Sequence, residues 1–285
     1  MVAPPVAPRE APRLPLVDTH AHLNDRRFMA DVDAVVARAR AAGVGAMVVV
    51  GYDLPTSRRA VALAQQYPCL WATVGLHPHY ASACSPSILS ELAALAQEPR
   101  VVAIGECGLD YYRNLSPRSQ QVQAFEAQLS LANRLGLPVV VHSRQAMSET
   151  LQTLSRTPPA AGGVLHCFDG ALRDAEQAMD LGLFISCAGN ITYRPGPELI
   201  RALESVPAGR VVIETDCPWL SPQGHRGERN EPAHLALVAQ ALAQIRRVDA
   251  RALAAQTSEN AARLFRTPEI ATLAYAVAGA TEVAL

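Results

Sequence analysis

Eight short runs rich in Val and Ile alternate along the chain with longer segments whose apolar residues recur at i, i+3, i+4 and i+7. The runs are Leu16 to Leu23, Gly45 to Tyr52, Leu70 to Pro78, Val101 to Asp110, Pro138 to Arg144, Gly163 to Gly170, Phe184 to Ile191 and Val211 to Leu220. The helical period marks Val32 to Ala42, Pro86 to Gln97, Ser119 to Leu135, Ser148 to Leu154, Leu172 to Asp180, Pro197 to Ser205 and Pro232 to Ile245, with Gly43, Gly136 and Gly182 placed where helices should stop. Strands apolar on both faces and separated by helices imply parallel pairing through crossovers. Eight such units close most economically into a (β/α)8 barrel, an α/β TIM-like fold that commonly takes about 250 residues. An open doubly wound sheet binding a dinucleotide would need GxGxxG after the first strand, which ends instead in THAH. The predicted organisation is a flexible Pro-rich tail at 1–15, one barrel domain at 16–265 and a C-terminal extension at 266–285.

Composition narrows the function classes. With 49% hydrophobic and 18% charged residues the chain can bury a large core, and no uncharged apolar run reaches the roughly 18 residues of a membrane span. Basic and acidic residues number 25 and 26, a formal charge of −1, so the surface as a whole does not attract polyanions and any nucleic acid must be captured locally. All 25 basic residues are arginine, which excludes lysine Schiff bases and Walker-type phosphate loops. Six cysteines without a CxxC pair fit a reducing cytoplasm.

The scarce ionisable residues fall at the carboxyl ends of the predicted strands, the active face of a barrel. Strand one ends in Asp18, His20 and His22, strand three in His77 and His79, strand four in Glu106 and Asp110, strand five in His142, strand six in His166 and Asp169, strand eight in Glu214 and Asp216. His20 and His22, one residue apart, point to the same face of an extended strand and can hold one ion between them. His-x-His alone is only moderately specific. Adding Glu106, His142, His166 and Asp216 gives six nitrogen and oxygen donors converging on one mouth, which suits two divalent cations, Mg, Mn or Zn.

Two neighbouring cations need an anionic bridge. No lysine is present to carry a carbamate, and Glu106 is the carboxylate placed among the histidines to face both ions, unless it caps the next helix or pairs with Arg113. Asp216 is the expected ligand and acceptor of a proton from water, unless it caps the turn at CPW. His77 is expected to meet a substrate oxygen, although it and His79 are equally readable as loop histidines. Glu214, deeper on the same side as Asp216, should orient a ligand. Arg226 and Arg229 are candidate phosphate forks against a reading as solvated loop charges, and Tyr111 and Tyr112 stack a base or simply pack.

Several of these residues sit in segments that resemble the TatD family of metal-dependent hydrolases: VDTHAHL from Val17, VGLHP from Val74, IGECGLDYYR from Ile104, VVHSR from Val140, LHCFDG from Leu165, and IETDCPWL from Ile213 followed by HRGERNEP from His225. The resemblance spans Val17 to about Phe265 and implies a TIM-like barrel, a binuclear metal site and deoxyribonuclease activity. Carried over residue by residue, it implies the same ligands, His20, His22, Glu106, His142, His166 and Asp216. The expected substrate is DNA, single-stranded, with no membrane and no obligatory protein partner. Two other readings stand beside it: hydrolysis of another ester or amide, such as deacylation of aminoacyl-tRNA, marked by a substrate pocket dominated by apolar residues with no arginines near the metals, and a non-catalytic nucleic-acid binder.

Overall fold

The computed structural model describes residues 13–279. Eight parallel strands pair in chain order, β1 (Leu16–Ala21), β2 (Val44–Val50), β3 (Leu70–Val74), β4 (Val101–Asp110), β5 (Val139–Arg144), β6 (Gly163–Leu165), β7 (Leu183–Cys187) and β8 (Val211–Ile213). The seam between β8 and β1 is stitched by Asp216 N to His20 O (2.9 Å), His22 N to Cys217 O (2.8 Å) and Thr19 Oγ1 to Ile213 O (3.0 Å). Buried Asp18 completes it by accepting from Thr215 N (3.0 Å) and Thr215 Oγ1 (2.6 Å). The TIM-like barrel read from the alternation is the observed architecture.

Most helices coincide with the periodic segments: α1 (Val32–Ala41), α3 (Pro86–Leu95), α4 (Arg118–Leu135), α5 (Met147–Arg156), α6 (Leu172–Asp180) and α7 (Pro197–Ser205). Gly136 takes the left-handed C-cap of α4 at φ 68°. The segment predicted from Pro232 to Ile245 divides into a 3-10 turn, Pro232–His234, and α8 (Leu235–Arg246). Three helices were not singled out in the sequence: α2 (Leu54–Gln66), opened by the Asp53–Thr56 capping box, α9 (Ala250–Leu264) and α10 (Glu269–Ala278).

The apolar core has two layers. One joins the strands to the helices around them. The other draws at least one residue from every strand, including Val17, Val48, Trp71, Val102, Val140, Val164, Phe184 and Val212, and so fills the barrel interior. At the amino ends of the strands this inner layer continues into Phe265, Ile270 and Ala274. Part of the predicted C-terminal extension, α10, is thus a plug that closes the floor of the barrel. Residues 1–12 of the predicted tail and 280–285 of the extension lie outside the described residues.

The corrections concern strand length. Runs six and eight, expected to reach Gly170 and Leu220, stop as strands at Leu165 and Ile213, and run three stops at Val74. Their polar ends leave the ladder and form the loops of the mouth. No described helix is long and apolar enough to cross a membrane.

Candidate metal centre

Six of the eight strands deliver the polar residues of the cluster, from the strand itself or from the loop that follows it. β1 carries His20 with His22 just beyond it, β4 carries Glu106 and β5 carries His142, while His166 follows β6 by one residue and His77 and Asp216 follow β3 and β8 by three. The two strands richest in donors are irregular where the donors sit: the register of β1 against β2 shifts between Asp18 and Ala21, and that of β4 against β5 between Ile104 and Cys107. Such bulges re-aim side chains. Past the second bulge, Gly108 lies against His142, and a Cβ on Gly108 would fall 2.0 Å from the His142 carbonyl oxygen. Only glycine permits the approach that sets Glu106 beside His142. Asp216 has a left-handed backbone, φ 53°, and its carboxylate reaches back to His22.

The six expected donors converge. His20 Nε2 and His22 Nε2 lie 3.1 Å apart, and Asp216 Oδ1 is 3.3 Å from His22 Nε2 and 3.7 Å from His20 Nε2. Opposite them, His142 Nδ1 and His166 Nε2 lie 3.1 Å apart. Glu106 stands between the two pairs and divides its oxygens: Oε2 is 3.4 Å from His20 Nε2 and 3.6 Å from His22 Nε2, whereas Oε1 is 2.8 Å from His142 Nδ1 and 3.0 Å from His166 Nε2. It makes no ion pair with Arg113 among the described residues.

The chemistry of these donors fits divalent cations. His22 Nδ1 faces the Val50 carbonyl (2.9 Å) and His166 Nδ1 faces Glu214 Oε1 (3.1 Å). Each must donate there, which leaves a lone pair on Nε2. These lone pairs point at His20 Nε2 and His142 Nδ1, whose rings each have their other nitrogen buried without a hydrogen-bond partner, His20 Nδ1 and His142 Nε2. Nitrogens facing one another at 3.1 Å beside a carboxylate oxygen are spaced as neighbours in the shell of an ion with bonds of about 2.1 Å. Glu214 is fully buried and holds the ring of His166 while accepting from Cys167 N (2.7 Å) and Ser186 Oγ (2.6 Å).

His77 differs. Its Nδ1 accepts from His79 N (3.1 Å), so the proton of the neutral ring is on Nε2, 3.6 Å from Glu106 Oε1. That nitrogen donates and has no lone pair for a cation. Burial depresses His77 well below the ordinary histidine value despite Glu106, so the ring is neutral near pH 7. Burial pushes the Glu106 carboxyl up, but the imidazoles of His166, His77 and His20 outweigh it and hold it well below the usual range. Asp216 is likewise ionised, the imidazoles of His22, His20 and His166 overcoming burial.

The cluster floors a cleft of about 980 Å³. Neither Arg226 nor Arg229 lines it, a correction to their expected place at the substrate. Arg229 is held by Asp31 (2.6 Å), Glu231 (2.7 Å) and the Arg27 carbonyl (2.6 Å), and Arg226 lies over the Tyr193 ring at 4.1 Å. The partly exposed carboxylates of Asp31 and Glu231 capture the Arg229 fork first. The arginines on the cleft wall are Arg26, Arg27, Arg113 and Arg144, with Tyr52, Tyr80 and Trp219 among the aromatic residues. Arg113, Arg144 and Tyr52 follow or end a strand on the active face, a positional signal readable in the sequence. Tyr111 packs, its ring under Arg118 and its hydroxyl on Glu149 (2.7 Å), and Tyr112 is exposed.

The sequence matches the TatD related DNase family over residues 17–266. It is 43% identical over 257 residues to the 3'-5' ssDNA/RNA exonuclease TatD of Erwinia tasmaniensis, covering 88% of this chain and 99% of that protein. It is 37% identical over 252 residues to the uncharacterized metal-dependent hydrolase YabD of Bacillus subtilis, again covering 88% and 99%. Among solved structures, the TatD homolog YJJV of Escherichia coli superposes with a TM-score of 0.85 at 32% identity, covering 90% of this chain and 99% of that one.

Proposed function

The chain belongs to the family of TatD-related DNases, and on that premise we propose that it is a metal-dependent exonuclease removing nucleotides from the 3′ end of single-stranded DNA or RNA, the activity in the name of its Erwinia relative. The observation that carries this reading is the division of the Glu106 oxygens between two pairs of facing imidazoles. His20, His22 and Asp216 would hold one divalent cation, His142 and His166 a second, and Glu106 both. When bound, such ions supply Lewis acidity that lowers the pKa of water and positive charge that offsets phosphate oxygens.

The protein's own groups do the rest. Asp216, ionised and at the rim of the cluster, accepts the proton released as water attacks phosphorus. His77 Nε2–H donates to a phosphate oxygen where negative charge builds. Glu214 and the Val50 carbonyl fix the rings of His166 and His22. The four arginines on the cleft wall favour a phosphodiester over an apolar ester or amide. Six free thiols support the cytoplasmic reading.

The test is a 5′-labelled single-stranded oligonucleotide incubated with Mg²⁺ or Mn²⁺. A ladder of products shortened from the 3′ end is expected, and Glu106→Gln should lower the rate by about a hundred- to a thousandfold, the scale on which loss of a preorganised electrostatic group acts. An undiminished rate in that variant would refute the reading.

A further inference from the structure

The cleft wall on the β4–β5 side carries two guanidinium groups that the proposed reaction does not use. Arg144 ends β5, opposite Asp110 in the ladder, and its carbonyl accepts from Tyr111 N (2.9 Å). Arg113 stands on the turn after β4, which is pinned where Arg113 N donates to Asp110 Oδ1 (2.7 Å). The other oxygen of Asp110 accepts from His79 Nε2 (2.9 Å) and lies 3.4 Å from His142 Nε2. One buried carboxylate therefore ties the turn bearing Arg113 to His79 and lies beside the His142 ring of the cluster.

Both guanidinium groups flank one ring: Arg144 Cζ lies 4.2 Å and Arg113 Cζ 5.8 Å from the centroid of Tyr112. Among the described residues neither makes an ion pair, although Asp169 shares the wall. Arg27 on the opposite wall contrasts with them, being held by both oxygens of Asp25 (2.8 and 3.3 Å) and lying over Trp219. A guanidinium held against an aromatic face keeps its planar N–H edge for an anion. The Arg113–Arg144 pair is thus a charge-bearing fork at the mouth with no carboxylate of its own.

We propose that Arg113 and Arg144, braced by Tyr112, form a subsite for the phosphate one nucleotide to the 5′ side of the one being cleaved, so that the protein reads whether its substrate is a chain. The inference rests on the nuclease reading above. Cations at the centre answer the charge of one phosphate, and the next phosphate of the strand brings a second that only the protein can meet.

The experiment compares a dinucleotide holding one phosphodiester with a trinucleotide holding two, each without terminal phosphate. In the wild type, kcat/KM should favour the trinucleotide by roughly ten- to a hundredfold, the worth of a hydrogen bond to a charged group. In the double variant R113Q/R144Q that ratio should collapse toward one, and R113K/R144K should restore part of it through charge without the fork. A second measurement needs no catalysis: in chelator, the slope of log affinity for a labelled oligonucleotide against log salt should become shallower by about 0.7 in R113Q/R144Q, the amount for one phosphate of a single strand. A ratio and a slope both unchanged in R113Q/R144Q would overturn the subsite. If the wild type cleaves neither substrate, the nuclease reading falls instead, and the salt slope alone decides whether the pair binds phosphate.

Discussion

A histidine becomes a ligand or a donor according to what its second nitrogen touches. His166 and His77 lie in the same cluster, yet Glu214 takes the Nδ1 proton of the first while the His79 amide claims the Nδ1 lone pair of the second. The two should respond differently to substitution. Glu214→Gln keeps an acceptor but loses charge, and should weaken metal affinity by about ten- to a hundredfold, measured by titration with the ion. His77→Ala should leave metal content at the wild-type level and lower kcat by about a hundredfold, the effect of removing one aimed donor. Loss of metal from His77→Ala would contradict the assignment of its proton to Nε2. The His-x-His spacing was readable from the sequence, whereas the tautomers of His22 and His166 depend on Val50 and Glu214, brought alongside only by folding, and that of His77 on the local turn that presents the His79 amide.

At the scale of elements, the close approach of β4 to β5 places Glu106 beside His142. Gly108→Ala would set a methyl 2.0 Å from the His142 carbonyl at φ 140°, and one strand must move. A loss of about 3 kcal/mol in unfolding free energy is expected, with weakened metal binding as Glu106 and His142 separate. A variant as stable as the wild type would show that the approach is dispensable. The loop after β8 is secured differently. Arg229 joins Asp31 and Glu231, and Arg38 pairs with the same two carboxylates. Burial raises the Glu231 carboxyl, but Arg38 and Arg229 bring it below its ordinary 4.5, and Asp31 is held below 3.8 chiefly by Arg229. Carboxylates depressed in the folded state contribute stability that is present above their ordinary values and lost as pH falls through the folded ones. Arg229→Gln should therefore unfold more easily by about 1 kcal/mol at pH 7, and the difference should shrink in denaturant titrations as pH falls through the folded-state values of Asp31 and Glu231. A gap that persists in acid would show that Arg229 acts through packing on Phe28, over which it lies at 4.6 Å.

For the whole molecule, the barrel is closed at one end by α10 and carries at the other a largely buried cluster of imidazoles and carboxylates on the floor of the cleft. Ions that bind only the folded cluster stabilise it by mass action, about 2.7 kcal/mol at a hundred times the dissociation constant. Chelation should lower Tm by roughly 5 °C or more, and adding Mn²⁺ or Zn²⁺ should reverse the change. A Tm indifferent to chelator would mean that the cluster is held by the apolar layers alone.

The order of elements and the identity of the polar residues at strand ends were fixed by local pattern, because period-2 and period-3.6 apolarity and strand-terminal histidines are properties of neighbouring residues. Pattern failed where polar residues continued an apolar run: past Leu165 and Ile213 the chain leaves the ladder to form the mouth, and an alternating tail cannot be told from a loop without its partners. It failed again at Arg229, which an isolated loop offers to phosphate and the fold gives to Asp31 and Glu231. Which oxygen of Glu106 faces which imidazole, which nitrogen of His77 holds the proton and which arginines stay unpaired were decided by the tertiary structure. The Glu106 contacts depend on residues dozens of positions apart, whose distances are set by closure of the barrel, whereas the His77 proton is set within its own turn by the His79 amide.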